Sequence, residues 1–231
     1  YENMLNIMSN VPLGLFMRDL HKLGAEWMVL VVALHALRTF LTGNYKKPRQ
    51  FTWFSGVILL LLTIFLSFSG YLLPWDQLSV WAVTIGVSMA EAFTTPWPLN
   101  LLGEKYLGDP SFIGTAINNI MRGGPQFNAS GLLRWYLLHV IGLPLIVFIF
   151  IGVHYYKVII HGHSLPPEAE KVGEDSAKRV PLDQRTYFMP DVLTRELFYV
   201  ALITFFAVFM VTAGGYHAPL EPHADPLVTP L

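Results

Sequence analysis

Apolar positions in this chain fill long uninterrupted runs instead of recurring on one helical face or alternating. Gln50 to Trp75, Trp135 to Tyr156 and Leu197 to Leu220 contain no Asp, Glu, Lys or Arg, and Leu20 to Phe40 is interrupted only by Lys22, Glu26 and Arg38. A bilayer core about 30 Å thick takes roughly 20 helical residues, and only helices and closed barrels satisfy their backbone hydrogen bonds inside it. Runs this long and this uniformly apolar exceed barrel strands, so the pattern predicts an all-α integral membrane bundle with four spans. Polar positions gather between them. The 59 residues from Asp76 to Arg134 hold Pro96-Trp97-Pro98 and Gly123-Gly124-Pro125 and predict one or two short interfacial helices. Lys157 to Glu196 concentrates 13 of the 31 charges in 40 residues and predicts a solvated linker. Tyr1 to Arg18 is mildly amphipathic and too short to span.

Charge orients the spans. No acidic residue lies between Glu26 and Asp76, yet Arg38, Lys46, Lys47 and Arg49 cluster at the first connection. By the positive-inside rule that connection faces the cytoplasm, stroma or matrix, the n side, and Asp76 to Arg134 lies on the opposite p side. Composition agrees: 53% of the 231 residues are hydrophobic, 13% are charged and the net charge is −1, which removes the clustered basic face that nucleic-acid binding needs. With no cysteine, disulfides, Cys-ligated zinc, chain-held iron–sulfur clusters and covalent haem are excluded. Eight histidines remain as the soft ligands.

Ionisable residues inside spans are costly and usually functional. His21 and His35 lie in the first span, His139 and His154 in the third. Steps of 14 and 15 residues correspond to about 21 and about 22 Å of helix, and to about −40° and about +60° around it. Both spans run from p to n, so His21 is level with His139 and His35 with His154. Paired imidazoles across a bundle are how a protein holds a six-coordinate, electron-transferring haem. For one isolated histidine, an interhelical hydrogen bond would be the ordinary alternative; four at matched heights favour haem ligation. Arg18, Lys22, Arg38 and Arg134 sit at the rims where haem propionates would lie, as guanidinium–carboxylate pairing requires, with interfacial snorkelling as the alternative. Gly56 and Gly70, 14 apart in the second span, would admit a flat macrocycle to the backbone or pack helices. Pro144 is expected to kink the third span.

The segments DLHKLGAEWMVLVVALHALRTFLTGNYKKPRQFTWFSGV, SGYLLPWDQLSVWAVT and LLRWYLLHVIGLP resemble cytochrome b and the shorter cytochrome b6, the di-haem subunits of quinol–cytochrome c or plastocyanin oxidoreductases. The 15-residue step from His139 to His154 resembles the b6 version, the mitochondrial one being a residue shorter. From Tyr187 on, through LEPHADPLVTP, the tail resembles the start of the family's C-terminal part, subunit IV. Three regions follow: a b6-like di-haem bundle of three spans (1–160), an n-side linker (161–191), and a fourth span with the start of the subunit IV-like part (192–231).

The resemblance implies two non-covalent b haems, a low-potential one on His21 and His139 and a high-potential one on His35 and His154. It implies a p-side quinol-oxidation pocket walled by Phe68, Tyr71, Ala82 and Ile85, a quinone-reduction site near the n-side haem, and coupling of electron transfer to proton translocation. The implied partners are a Rieske iron–sulfur protein, a c-type cytochrome, the remaining C-terminal segment and a second copy in a homodimeric complex, in a bacterial cytoplasmic or thylakoid-type membrane. The family's first span would precede Tyr1, and its Pro-Glu-Trp-Tyr motif would begin beyond Leu231, so a fragment or completion by other segments is expected. Ile159 stands where b6 usually has a basic residue, which Lys157, His161 or His163 would replace. Three rival readings stay open: a di-haem anchor of another quinone-linked oxidoreductase, a proton-coupled transporter using its histidines, and a non-catalytic structural subunit. Glu26 reads either as a hydrogen-bonded carboxylate or as part of a proton path, His217 and His223 as interface packing, and Trp75, Trp81 and Trp97 as an aromatic belt.

Overall fold

A computed structural model describes residues 1–94, 112–162 and 180–225. Pro96-Trp97-Pro98, His163, most of the 161–191 linker and the end of the tail lie outside the described residues. The helices are α1 (Glu2–Ser9), α2 (Gly14–Leu41), α3 (Gln50–Tyr71), α4 (Gln77–Thr94), α5 (Phe112–Arg122), α6 (Ala129–Leu137), α7 (Leu143–His161) and α8 (Leu193–Thr212). A π turn, Leu138–Gly142, makes α6 and α7 one continuous rod. Among the described residues the only extended pairing is an isolated bridge between Asp76 and His223. Four helical stretches among the described residues are long and apolar enough to cross a membrane: Gly14–Leu41, Gln50–Tyr71, Ala129–His161 and Leu182–Thr212. Large apolar side chains such as Leu34, Phe148 and Phe205 point outward, as suits helices whose solvent is lipid.

The helix ends differ from the limits of the apolar runs, and backbone chemistry explains each case. The second run continues to Trp75, but α3 stops at Tyr71 because Pro74 removes an N–H and restricts Leu73; Trp75 then turns left-handed at φ 58°. The fourth run continues to Leu220, but α8 stops at Thr212, where Gly215 adopts φ 73° and the Tyr216 N–H bonds Met210 O at 3.0 Å. The third run starts at Trp135, yet the helix begins at Ala129 because Asn128 caps the Ser130 and Gly131 N–H groups. The kink expected at Pro144 takes the form of the π turn just before it, where the Leu143 N–H reaches back to Leu138 O.

Contacts divide the chain into two compact units, one of residues 1–6, 66–144 and 219–231, the other of 7–65 and 145–218. In the first, α5 packs on α4 and α6; Arg122 donates to Thr84 O and Ser88 Oγ. The segment Trp75-Asp76-Gln77 grips 221–225 in the same unit. Asp76 caps α4 by accepting from the Ser79 N–H (2.8 Å) and also accepts from the Glu221 N–H (3.3 Å), while Gln77 Oε1 accepts from the Asp225 N–H at 2.7 Å. His223 meets the Tyr1 ring edge-on, and Trp75 stacks on Phe127 with ring centres 4.8 Å apart.

In the second unit α2 packs on α8 through Leu23, Ala207 and Val211, with Phe16, Leu20, Trp27, Met210 and Tyr216 around them. The segment after α8 is fastened to α2 by polar bonds. Asp19, 1% exposed, accepts from the Ala218 N–H and from His217 Nδ1, both at 3.0 Å. Glu26 accepts from the Tyr216 hydroxyl at 3.1 Å and pairs with Lys22. Burial, and then the Glu26 carboxylate, push the Tyr216 hydroxyl up to about 12, so it remains a donor at physiological pH. Asp19→Ala leaves the Ala218 N–H without its acceptor, a loss of about 1–3 kcal/mol for a buried group. The expected result is a lower apparent melting temperature in detergent, with Asp19→Asn intermediate because its amide oxygen still accepts.

Candidate functional site

His35 on α2 and His154 on α7, both in the second unit, line a cavity of about 350 Å³ whose wall also includes Arg38, Thr39, Asn44, Arg49, Thr52, Trp53 and Gly56. α3 supplies Thr52, Trp53 and Gly56, and the loop before it Asn44 and Arg49. A Cβ built at Gly56 would lie 3.1 Å from His154 Cε1, so glycine sets how closely the imidazole approaches α3. Asn44 Oδ1 and Thr52 Oγ1 are buried in this wall with no hydrogen-bond partner among the described residues. Arg49 is 5% exposed and donates through Nε to Gly162 O at 3.2 Å. Two imidazoles and two guanidinium groups around an apolar space are the groups that a b-type haem with its carboxylate tails requires. The residues present fit that group.

His139 and its surroundings lie in the first unit and repeat the α3 part of this arrangement. The ring rests against Gly70, where a Cβ would sit 2.6 Å from Cε1 and 3.1 Å from Nε2. Ser69 Oγ lies 3.0 Å from His139 Nδ1, as Ser55 Oγ lies 3.0 Å from His154 Nδ1. His21, on α2 in the second unit, is exposed.

The other site residues expected from sequence fall as follows. Arg38 lines the His35/His154 cavity. Arg18 donates to Ala218 O and Arg134 to Ile120 O, each at 2.6 Å, and Lys22 pairs with Glu26 at 3.1 Å. Phe68 stands edge-on to Trp135 and against Gly86 of α4, where a Cβ would lie 3.0 Å from its ring. Tyr71 and Ile85 are exposed and Ala82 is half-buried. Lys157 lies over the Phe51 ring at 5.3 Å. Sequence reasoning missed Ser55, Ser69, Asn44, Arg49 and Asp19. The serines had a legible signal, since a Ser-Gly dipeptide recurs after 14 residues. Asp19 sits one residue outside the first apolar run, which hid it.

These features define an integral membrane helical protein with an imidazole-lined site suited to a b-type porphyrin. A family model described as cytochrome b (N-terminal)/b6/petB matches residues 26–224. Cytochrome b6 of Mastigocladus laminosus is 35% identical over 166 residues, covering 72% of this chain and 69% of the relative; that of Heliobacterium mobile is 38% identical over 160 residues, covering 69% and 67%. A chain of a solved hyperthermophilic respiratory Complex III aligns over 98% of this chain with TM-score 0.77 and 28% identity, and this chain spans 55% of that one. The chain belongs to the cytochrome b/b6 family, and membership implies haem b.

Proposed function

We propose that the protein is the di-haem cytochrome b subunit of a quinol:cytochrome c or plastocyanin-type oxidoreductase. It would work with a Rieske iron–sulfur protein, a c-type cytochrome, the remaining C-terminal segment and a second copy of the complex. The observation that carries the reading is the cavity shared by His35 and His154, with Arg38 and Arg49 in its wall. His35 and His154 would hold one haem; His21 and His139, at matching heights in the sequence register, would hold the other. When bound, these groups supply one-electron relay between quinol oxidation on the p side and quinone reduction on the n side.

The chain's own residues do the rest. The four imidazoles would supply the nitrogens that hold iron in place. Arg38 and Arg49 would neutralise haem carboxylates at the edge of a low-dielectric region, where an unpaired anion would be costly. The apolar helices exclude water from the path between the sites. Phe68, Tyr71, Ala82 and Ile85 wall the quinol-oxidation pocket, with proton release on p and uptake on n completing the coupling.

The test is a redox titration of the protein purified from its membrane, followed in the visible region. Two one-electron b-type steps, at least one of them moved by quinone-site inhibitors, are expected. A colourless protein, or one whose iron is not bis-imidazole by its low-spin spectrum, would overturn the reading.

A further inference from the structure

We propose that Ser55 and Ser69 are positioning residues that set the tautomer of the two α6–α7 histidines, so that each offers Nε2 as a bare lone pair to iron. This rests on the haem reading above. Both serines are almost completely buried, at 1% and 0% exposure. Each also sits in a segment where a buried hydroxyl needs a partner.

The geometry decides who donates. A serine hydroxyl carries one hydrogen. Ser69 Oγ lies 2.9 Å from Leu66 O and 3.0 Å from His139 Nδ1, and Ser55 Oγ lies 2.9 Å from Thr52 O and 3.0 Å from His154 Nδ1. A carbonyl can only accept, so the hydroxyl hydrogen goes to the backbone and the imidazole donates to the hydroxyl oxygen. At His139 a second fact closes the alternative. Leu66 O is itself 3.1 Å from Nδ1, and a deprotonated Nδ1 would face that carbonyl lone pair to lone pair. Nδ1 therefore carries the proton, which leaves Nε2 unprotonated, the form that ligates a metal.

The adjacent glycine completes the unit. Gly56 and Gly70 give the ring its place beside α3, and the preceding serine holds its Nδ1, so each Ser-Gly pair on α3 fixes the height, rotation and tautomer of one ligand. A hydrogen bond donated from Nδ1 raises the basicity of Nε2, which favours ferric over ferrous iron.

The experiment uses the complete complex in detergent, with Ser55→Ala, Ser69→Ala and the corresponding Thr and Cys variants. Each is read by redox titration and by the electron paramagnetic resonance of its ferric haems. Ser69→Ala should shift one haem's ferric/ferrous equilibrium toward ferrous by up to about tenfold, about 59 mV upward for a one-electron couple, with an altered resonance. Ser55→Ala should do the same to the other haem alone. Thr, which keeps the hydroxyl, should restore wild-type behaviour, and Cys should fall between. If an Ala variant loses its haem, the Cys variant decides: a raised potential supports the role and an unchanged one overturns it. Haems retained with unmoved potentials and resonances in the Ala variants, or a Thr shift as large as that of Ala, would also overturn it. Absence of haem from the wild type would instead defeat the functional reading.

Discussion

Under the proposed di-haem assignment, His154→Leu is expected to remove about half of the b-type absorbance in a reduced-minus-oxidised spectrum, because one of the two sites would lose a ligand while the other would keep both. Leucine is close to histidine in volume and suits an apolar helix, and Ser55 keeps its bond to Thr52 O, so little else should change. The redox titration should collapse from two steps to one, and the surviving step should match the wild-type potential of the His21/His139 haem. His139→Leu should give the complementary result. His223→Gln, which alters a ring facing Tyr1, should keep both steps. Retention of both haems in His154→Leu would show that the His35/His154 cavity serves something else.

Gly70→Ala should be nearly as severe, and for a reason that separates sterics from helix propensity. Alanine favours a helix over glycine by about 1 kcal/mol, so the backbone alone would gain. The added Cβ, however, would stand 2.6 Å from His139 Cε1 and 3.1 Å from Nε2, the nitrogen proposed to ligate iron. Both neighbours are parts of a rigid ring, so the imidazole must move. The expected outcome is loss of the His139 haem, or a high-spin fraction at that site, with the other haem intact. Gly56→Ala meets His154 Cε1 at 3.1 Å and Nδ1 at 3.6 Å, a contact relieved by a shift of a few tenths of an ångström. It should retain both haems with a modest spectral change. Equal tolerance at the two positions would mean that close approach of the ring to α3 does not govern the site.

Much of this architecture is legible in the sequence because lipid imposes such strict rules. Four charge-poor runs become four long helices, and the alternative of strands fails on length alone. The cavity around His35 and His154 was foreshadowed by residue spacing and span direction. Helix ends were less legible, since hydropathy continues through Leu72-Leu73 and Gly214-Gly215 while backbone geometry does not. Arg49 and Asn44 were hidden in a connection read only for its charge, and nothing in the pattern says that a loop arginine turns inward to meet Gly162 O. The Ser55-Gly56 and Ser69-Gly70 pairs were visible, but attention fell on the missing side chain of each glycine and not on its neighbour's hydroxyl. Asp19 shows the limit of window reading: one of the most buried charged groups among the described residues lies at the edge of a run, and its partners are about 200 residues away.

The π turn at Leu138–Gly142 settles a small numerical mismatch. His139 and His154 are 15 positions apart, whereas His21 and His35 are 14. A five-residue loop of helix takes up one additional residue without adding its angular step, so 15 positions that include it correspond to about 14 of a regular helix. Removing one residue from this bulge, in place of a substitution, should leave a regular helix with its two histidines still in phase. A deletion one turn further along should throw them out of phase.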